Sequence, residues 1–160
     1  MSTIRVRTMI GLAVSAITLA LAGTAQAMTL AVGSPELTAR IAVTVPVTVT
    51  CDPFSPTLTV FSQSISVRVE QAAGREIARG TGQAFSSFPS PLLFPCDGKT
   101  HELLVTVLAD AAGPPFHGGK AIVSANGSAE AGTPNPFGSG FMAPFDRQTV
   151  SVPSVEVRLH

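Results

Sequence analysis

The chain has 160 residues, of which 45% are hydrophobic and 12% charged, and ten basic and ten acidic side chains cancel to a formal net charge of zero. One domain of ordinary size fits this length, and the lack of a basic excess argues against nucleic-acid binding. The chain contains 13 prolines and 14 glycines but no Trp and no Tyr, so long helices are disfavoured and the side chains that usually stack on sugars and bases are missing.

The first 27 residues have the composition of an export signal. Arg5 and Arg7 precede an apolar stretch at 9–23, and Ala25-Gln26-Ala27 forms a small-x-small cleavage site. This apolar stretch of 15 residues is shorter than the roughly 20 residues that a membrane-spanning helix needs. We therefore expect a cleaved N-terminal signal helix over 1–27, a secreted, extracellular protein and no stable membrane anchor.

Two cysteines, Cys51 and Cys96, follow this segment. In an exported protein an even number of cysteines indicates disulfide bonding, and a bridge over this loop would stabilise the fold by roughly 4 kcal/mol. Metal ligation and a reactive thiol are the alternatives; the chain has no CxxC pair for a metal, and the His nearest in sequence is His101. Asp52 and Asp97, each directly after a cysteine, would approach one another if the bridge forms, although turn-forming, solvent-facing roles explain both.

The rest of the chain alternates between apolar and polar side chains with the period of β-strands. The clearest alternation covers 37–51, in which Pro46 marks either an edge position or a break between two short strands. Ala73-Gly74 and Asp97-Gly98 are turn signals. Further strands are predicted at 57–71, 76–85, 92–96, 101–109, 120–129 and 148–159, the last with a bulge or bend at Pro153-Ser154.

About seven short strands with regular turn signals are typical of an antiparallel β-sandwich. We expect an immunoglobulin-like arrangement that forms a single domain over 36–160, preceded by a short N-terminal extension at 28–35. The bridge would join two strands or sheets across the core. The Trp that usually packs beside such a bridge is missing, so a Phe such as Phe61 or Phe94 is expected to fill that volume.

The stretch from Ile41 to Ala129 resembles a group of small uncharacterised secreted proteins from actinobacteria. The matching segments are the strand ending at Cys51, the runs at 67–71 and 115–121, and Cys96-Asp97-Gly98. The resemblance implies an exported β-sandwich domain with a single disulfide, and it brings no catalytic residues.

The residues form no recognisable catalytic or metal-binding pattern, and we expect no cofactor, no metal site and no catalytic residues. One alternative is a small secreted enzyme in which His117, in a loop rich in proline and glycine, does acid–base work with Asp110 as its orienting carboxylate. Another is an inhibitor of secreted proteases that presents the proline-stiffened segment 88–95.

The segment 132–145 is uncharged and longer than most connections in compact domains. Its large apolar side chains are Phe137, Phe141, Met142 and Phe145. Its phenylalanines are expected to fold down and cap the open end of the sandwich; the functional alternative is a hydrophobic binding surface. We expect a non-enzymatic monomer that binds an extracellular protein or a cell-wall component, with this loop as the candidate binding site.

Overall fold

A computed structural model describes residues 27–160, so residues 1–26, which carry most of the signal prediction, lie outside the described residues. The described part contains eight β-strands: β1 Met28–Val32, β2 Glu36–Ala39, β3 Ala42–Cys51, β4 Thr59–Ala73, β5 Glu76–Ser87, β6 Thr100–Ala109, β7 Gly119–Pro134 and β8 Phe141–Leu159. All paired strands are antiparallel. The predicted all-β, antiparallel class is confirmed, and β1 lies in the stretch expected to be an extension.

The strands form one sheet in the order β1-β3-β6-β5-β4-β7-β8, in which β2 also pairs with β3, and this sheet is nearly closed into a barrel. Strands β5 and β6 share only two residue pairs, Gly80 with Ala109 and Thr81 with Leu108. The immunoglobulin-like sandwich of two separate sheets is not confirmed. The short β5–β6 pairing joins one half of the sheet, β1, β2, β3 and β6, to the other half, β4, β5, β7 and β8, in one continuous sheet.

Two glycines of β5 allow β5 and β6 to approach one another. A Cβ on Gly80 would lie 2.3 Å from the carbonyl oxygen of Leu108, and a Cβ on Gly82 would lie 2.3 Å from that of Thr106. Both distances are well below van der Waals contact, and the obstacles are backbone atoms, which have no rotamer to change. The corner where the two halves meet therefore requires residues without side chains.

Replacing Gly82 by Ala should separate β5 from β6 and destabilise the protein by about 1–3 kcal/mol, the usual cost of overpacking. The measurement is the midpoint of urea unfolding, monitored by circular dichroism. Gly113→Ala is the matched control, because the nearest atom to a Cβ there is 3.6 Å away, in ordinary contact. Equal unfolding midpoints for the two variants would contradict the close approach at this corner.

The core lies between the inner faces of the sheet and is filled by alternate residues of the strands. Two phenylalanines, Phe94 and Phe116, are each 1% exposed and are the largest fully buried side chains. Of the two residues expected to replace the missing Trp, Phe94 is in the core and Phe61 is not. The fully buried aliphatic side chains include Val43, Val45, Val47 and Val49 of β3, Ile65, Val67 and Val69 of β4, and Val123 of β7.

The predicted strand over 37–51 is interrupted at Arg40-Ile41, a turn between β2 and β3 that leaves Ile41 64% exposed. Strand β3 runs without a break through Pro46, whose carbonyl accepts a hydrogen bond from the Gly33 N–H at 2.8 Å. The N–H and C=O of a strand residue point to the same side, so the N–H that Pro46 lacks would point into the gap between β1 and β2. Proline is tolerated there because no ladder bond is lost.

The strand predicted at 92–96 is wrong, because the described segment between β5 and β6 contains no strand. Gln63, which is fully buried on β4, binds this segment through its side-chain amide. The amide nitrogen donates to the Phe94 carbonyl at 2.7 Å, and the amide oxygen accepts from the N–H groups of Leu93 at 2.9 Å and Phe94 at 3.3 Å. A primary amide offers the same donor and acceptor as a peptide group. The Gln63 side chain therefore supplies the hydrogen bonds that a neighbouring strand would otherwise give to this segment.

The bulge predicted at Pro153-Ser154 is confirmed. The register passes from Val123 opposite Val155 to Ala125 opposite Val152, so β8 uses one residue more than β7 over this step. Such a bulge moves the following side chains to the other face, as the sequence pattern indicated.

Candidate functional site

Four phenylalanines contact one another at one end of the sheet. The rings of Phe61 and Phe141 stack with centroids 4.6 Å apart. Phe145 meets Phe61 edge to face at 5.9 Å, and Phe88 meets Phe141 in the same way at 5.5 Å. We call these four side chains, together with the loop residues Phe137 and Met142, the aromatic end.

Most of the aromatic end is in contact with solvent. Phe137 is 95% exposed, Phe88 62%, Phe145 59% and Met142 40%. The expectation that the loop phenylalanines cap the core is therefore wrong for Phe137 and Phe145. Phe141 is half-buried, and the rings that it contacts are other members of the aromatic end.

Local irregularities position two of these rings. The register of β4 on β7 passes from Val60 opposite Ala131 to Ser62 opposite Glu130, so Phe61 is the extra residue of a bulge, which re-aims its side chain. Sequence reasoning missed Phe61 and Phe88 as members of this site. The sequence signal that could have revealed the bulge is the pair of adjacent apolar residues, Val60 and Phe61, within an alternating strand.

The ring of Phe145 lies over a glycine. Gly132 is its partner across the β7–β8 pairing, and a Cβ on Gly132 would lie 2.8 Å from the Phe145 ring. The glycine therefore leaves the space that this aromatic side chain occupies.

Two adjacent recesses open beside Phe61. The larger has a volume of about 650 Å³, and the residues that line it include Phe61, Phe88, Phe141 and Glu130. The smaller, of about 300 Å³, is lined by Phe61, Phe145, Glu130, Asp146 and Arg147. Glu130 lies in both recesses, and its carboxylate is 3.2 Å from Nε of Arg147.

The disulfide between Cys51 and Cys96 is present, as predicted. It joins the end of β3 to the irregular segment after β5, and the Cys51 side chain is fully buried. Beside it, the Gln148 amide nitrogen donates to the Asp52 carbonyl at 2.9 Å. A buried disulfide is consistent with an extracellular protein.

The two aspartates that follow the cysteines have separate partners. The Asp52 carboxylate accepts from the Ala27 N–H at 3.0 Å. The Asp97 carboxylate lies 2.8 Å from Nε2 of His101 and accepts from the Lys99 N–H at 2.9 Å. The hydrogen bond with His101 is the main cause that holds the pKa of Asp97 below its usual range. These contacts fit turn-forming roles.

His117 is bound by neighbouring residues through its backbone and its ring. Its N–H donates to the Gln71 amide oxygen at 2.9 Å, and its carbonyl accepts from the Gln71 amide nitrogen at 2.7 Å. The two ring nitrogens lie 2.9 Å from the Gly118 carbonyl oxygen and 3.1 Å from that of Ala72. Within residues 27–160 no hydrogen bond or ion pair joins His117 to Asp110. The structure therefore does not bring the proposed acid–base pair together.

Among the described residues, no group of three or more His, Cys, Asp or Glu side chains is placed to hold a metal ion. In the same range, no helix is both long and apolar enough to cross a membrane.

The chain matches no family model, no curated protein and no solved structure. Of what the resemblance to secreted actinobacterial proteins implies, the all-β fold and the single disulfide are confirmed.

Proposed function

We propose that this protein is an exported, non-enzymatic binding protein that contacts an extracellular protein or a cell-envelope component with its aromatic end. The observation that carries this proposal is the joint exposure of Phe88, Phe137 and Phe145 at one end of the sheet. Single exposed apolar residues are common on soluble proteins, whereas a group of large ones is typical of an interaction surface.

The energetics of this surface favour binding. Full burial of a Phe side chain contributes roughly 1.5–3 kcal/mol, so three exposed rings offer several kcal/mol to an interface. The stacking of Phe61 on Phe141 already orders part of the surface, which lowers the entropy lost on binding. No charged residue lies between Gly132 and Phe145, so contact with this loop desolvates no loop charge.

The two alternatives have less support. An enzyme that uses His117 would need a ring nitrogen free to exchange protons with a substrate, and both ring nitrogens lie against backbone carbonyls. A protease inhibitor that presents 88–95 would need this segment exposed along its length, and Phe94 is buried.

The test is retention of the purified protein on cell-envelope fractions and on immobilised secreted proteins of the source organism. The double variant Phe137→Ser/Phe145→Ser should be retained about tenfold less, which corresponds to about 1.4 kcal/mol of binding free energy. The control Leu104→Ser/Leu108→Ser removes apolar side chains that are 66% and 57% exposed on β6 and should be retained like the wild type. Absence of retention across the panel, or equal losses in both variants, would overturn the proposal.

A further inference from the structure

We propose that the recesses beside Phe61 bind a quaternary ammonium group, with Glu130 as its counter-ion. This inference rests on the proposed function, because it uses the same aromatic end, and it names the chemistry of the ligand. It follows from the charge of the recesses and from the rings that line them.

The bulge at Phe61 brings its ring and a carboxylate into the same recess. Glu130 is the residue of β7 that lies opposite Ser62, directly after the bulge. Phe61 and Glu130 therefore line both recesses. This places an anionic group among aromatic rings.

The charges that line the recesses favour a cation. Of the described residues that line the larger recess, Glu130 alone is charged, and its carboxylate is paired with Arg147. The residues that line the smaller one include two acids, Glu130 and Asp146, and one base, Arg147, whose Nε lies 3.2 Å from the Glu130 carboxylate. A neutral apolar ligand would desolvate the Glu130–Arg147 ion pair without a new partner, whereas a cation would share the Glu130 carboxylate with Arg147.

The rings determine which kind of cation fits. Phe61, Phe88 and Phe141 line the larger recess, and a cation placed against an aromatic face is attracted by the ring quadrupole. A primary ammonium is strongly hydrated and needs hydrogen-bond acceptors to replace that water. A quaternary ammonium donates no hydrogen bonds and presents methyl groups to the rings, which suits the three phenylalanines among the nine residues that line the larger recess.

The probe is choline, compared with 3,3-dimethylbutan-1-ol, its neutral carbon isostere. We expect saturable shifts of the backbone amide signals of Ser62, Glu130 and Gly140 in nuclear magnetic resonance titrations with choline. The isostere should bind about fivefold more weakly, because it lacks the charge that the rings and the carboxylate attract. Equal affinities for the two compounds, or no saturable shift at about 100 mM choline, a concentration that saturates even a weak site, would overturn the inference.

Variants separate the proposed site from general effects of charge and aromatic content. Glu130→Gln should weaken choline binding about tenfold and Phe88→Leu about fivefold. The controls are Glu156→Gln, whose carboxylate is also ion-paired, 2.8 Å from Lys120, and Phe85→Leu, whose ring is 64% exposed against 62% for Phe88. Neither control residue lines the two recesses. Loss of binding in the controls equal to that in the variants would overturn the site.

The outcomes also separate this inference from the proposed function. If choline binds while no envelope fraction or secreted protein retains the chain, the cation site stands and the proposed function fails. If retention depends on Phe137 and Phe145 while choline does not bind, the cation site fails and the proposed function stands.

Discussion

Loss of the Cys51–Cys96 bridge should lower the free energy of unfolding by roughly 4 kcal/mol. The two cysteines are 45 residues apart in sequence, and opening this loop gives the unfolded chain conformational freedom that the bridge removes. For a chain of this size the loss corresponds to a fall in the melting temperature on the order of 15 °C. We expect this result for Cys51→Ala/Cys96→Ala, measured by thermal and urea unfolding.

Reduction provides the control for this prediction. The wild type in the presence of a reductant should unfold near the midpoint of the double variant, whereas the double variant should not respond to the reductant. A wild-type midpoint that stays unchanged after a thiol assay shows full reduction would contradict the predicted contribution of the bridge. A small difference between reduced wild type and double variant is expected, because alanine leaves a cavity at the buried Cys51.

Gln63→Glu should make the stability of the protein depend strongly on pH. An ionised carboxylate at this fully buried position still accepts from the N–H groups of Leu93 and Phe94, but its second oxygen faces the Phe94 carbonyl, which needs a donor. The protonated carboxyl supplies that donor. We therefore expect a loss of at least about 3 kcal/mol at pH 8, where a buried charge stands without a partner, and a loss below about 1.5 kcal/mol at pH 4.

The direction of this pH dependence follows from linkage. The pKa of the introduced carboxyl should be higher in the folded state than its unfolded value of about 4.3. The variant is therefore most stable below the unfolded pKa, and stability is lost as the pH rises through the folded pKa. The matched control is Gln83→Glu, the same substitution at an exposed position of β5, which should change stability by less than about 0.5 kcal/mol. Parallel pH profiles for the two variants would contradict the buried amide contact.

Much of the strand pattern could be predicted from the sequence, because each strand with one buried face alternates clearly. Strands β3, β4 and β6 and the bulge at Pro153-Ser154 follow this rule. The union of the two halves into one sheet could not be predicted, because it depends on how closely Gly80 and Gly82 let distant backbones approach. The strand predicted at 92–96 is wrong, because the apolar residues of this segment do not reveal that the Gln63 side chain binds its backbone.

The candidate site could be predicted only in part. Composition singled out the loop with Phe137, Phe141 and Phe145, but its exposure depends on which other rings fill the core. The aromatic side chains that fill the core are Phe94 and Phe116. Both lie in segments whose backbone is bound by a buried side-chain amide, that of Gln63 or Gln71. Long-range contacts of this kind leave no periodic signal in the sequence.

The short pairing between β5 and β6 separates the strands that carry the aromatic end from the strands that do not. Every ring of the aromatic end comes from β4, from β8, or from the segments that follow β5 and β7. The ring contacts of the aromatic end therefore lie within one part of the sheet, and the Cys51–Cys96 bridge ties the segment that carries Phe88 to the end of β3. The remaining strands, β1, β2, β3 and β6, are free to vary in their outer faces without altering the surface that a ligand would meet.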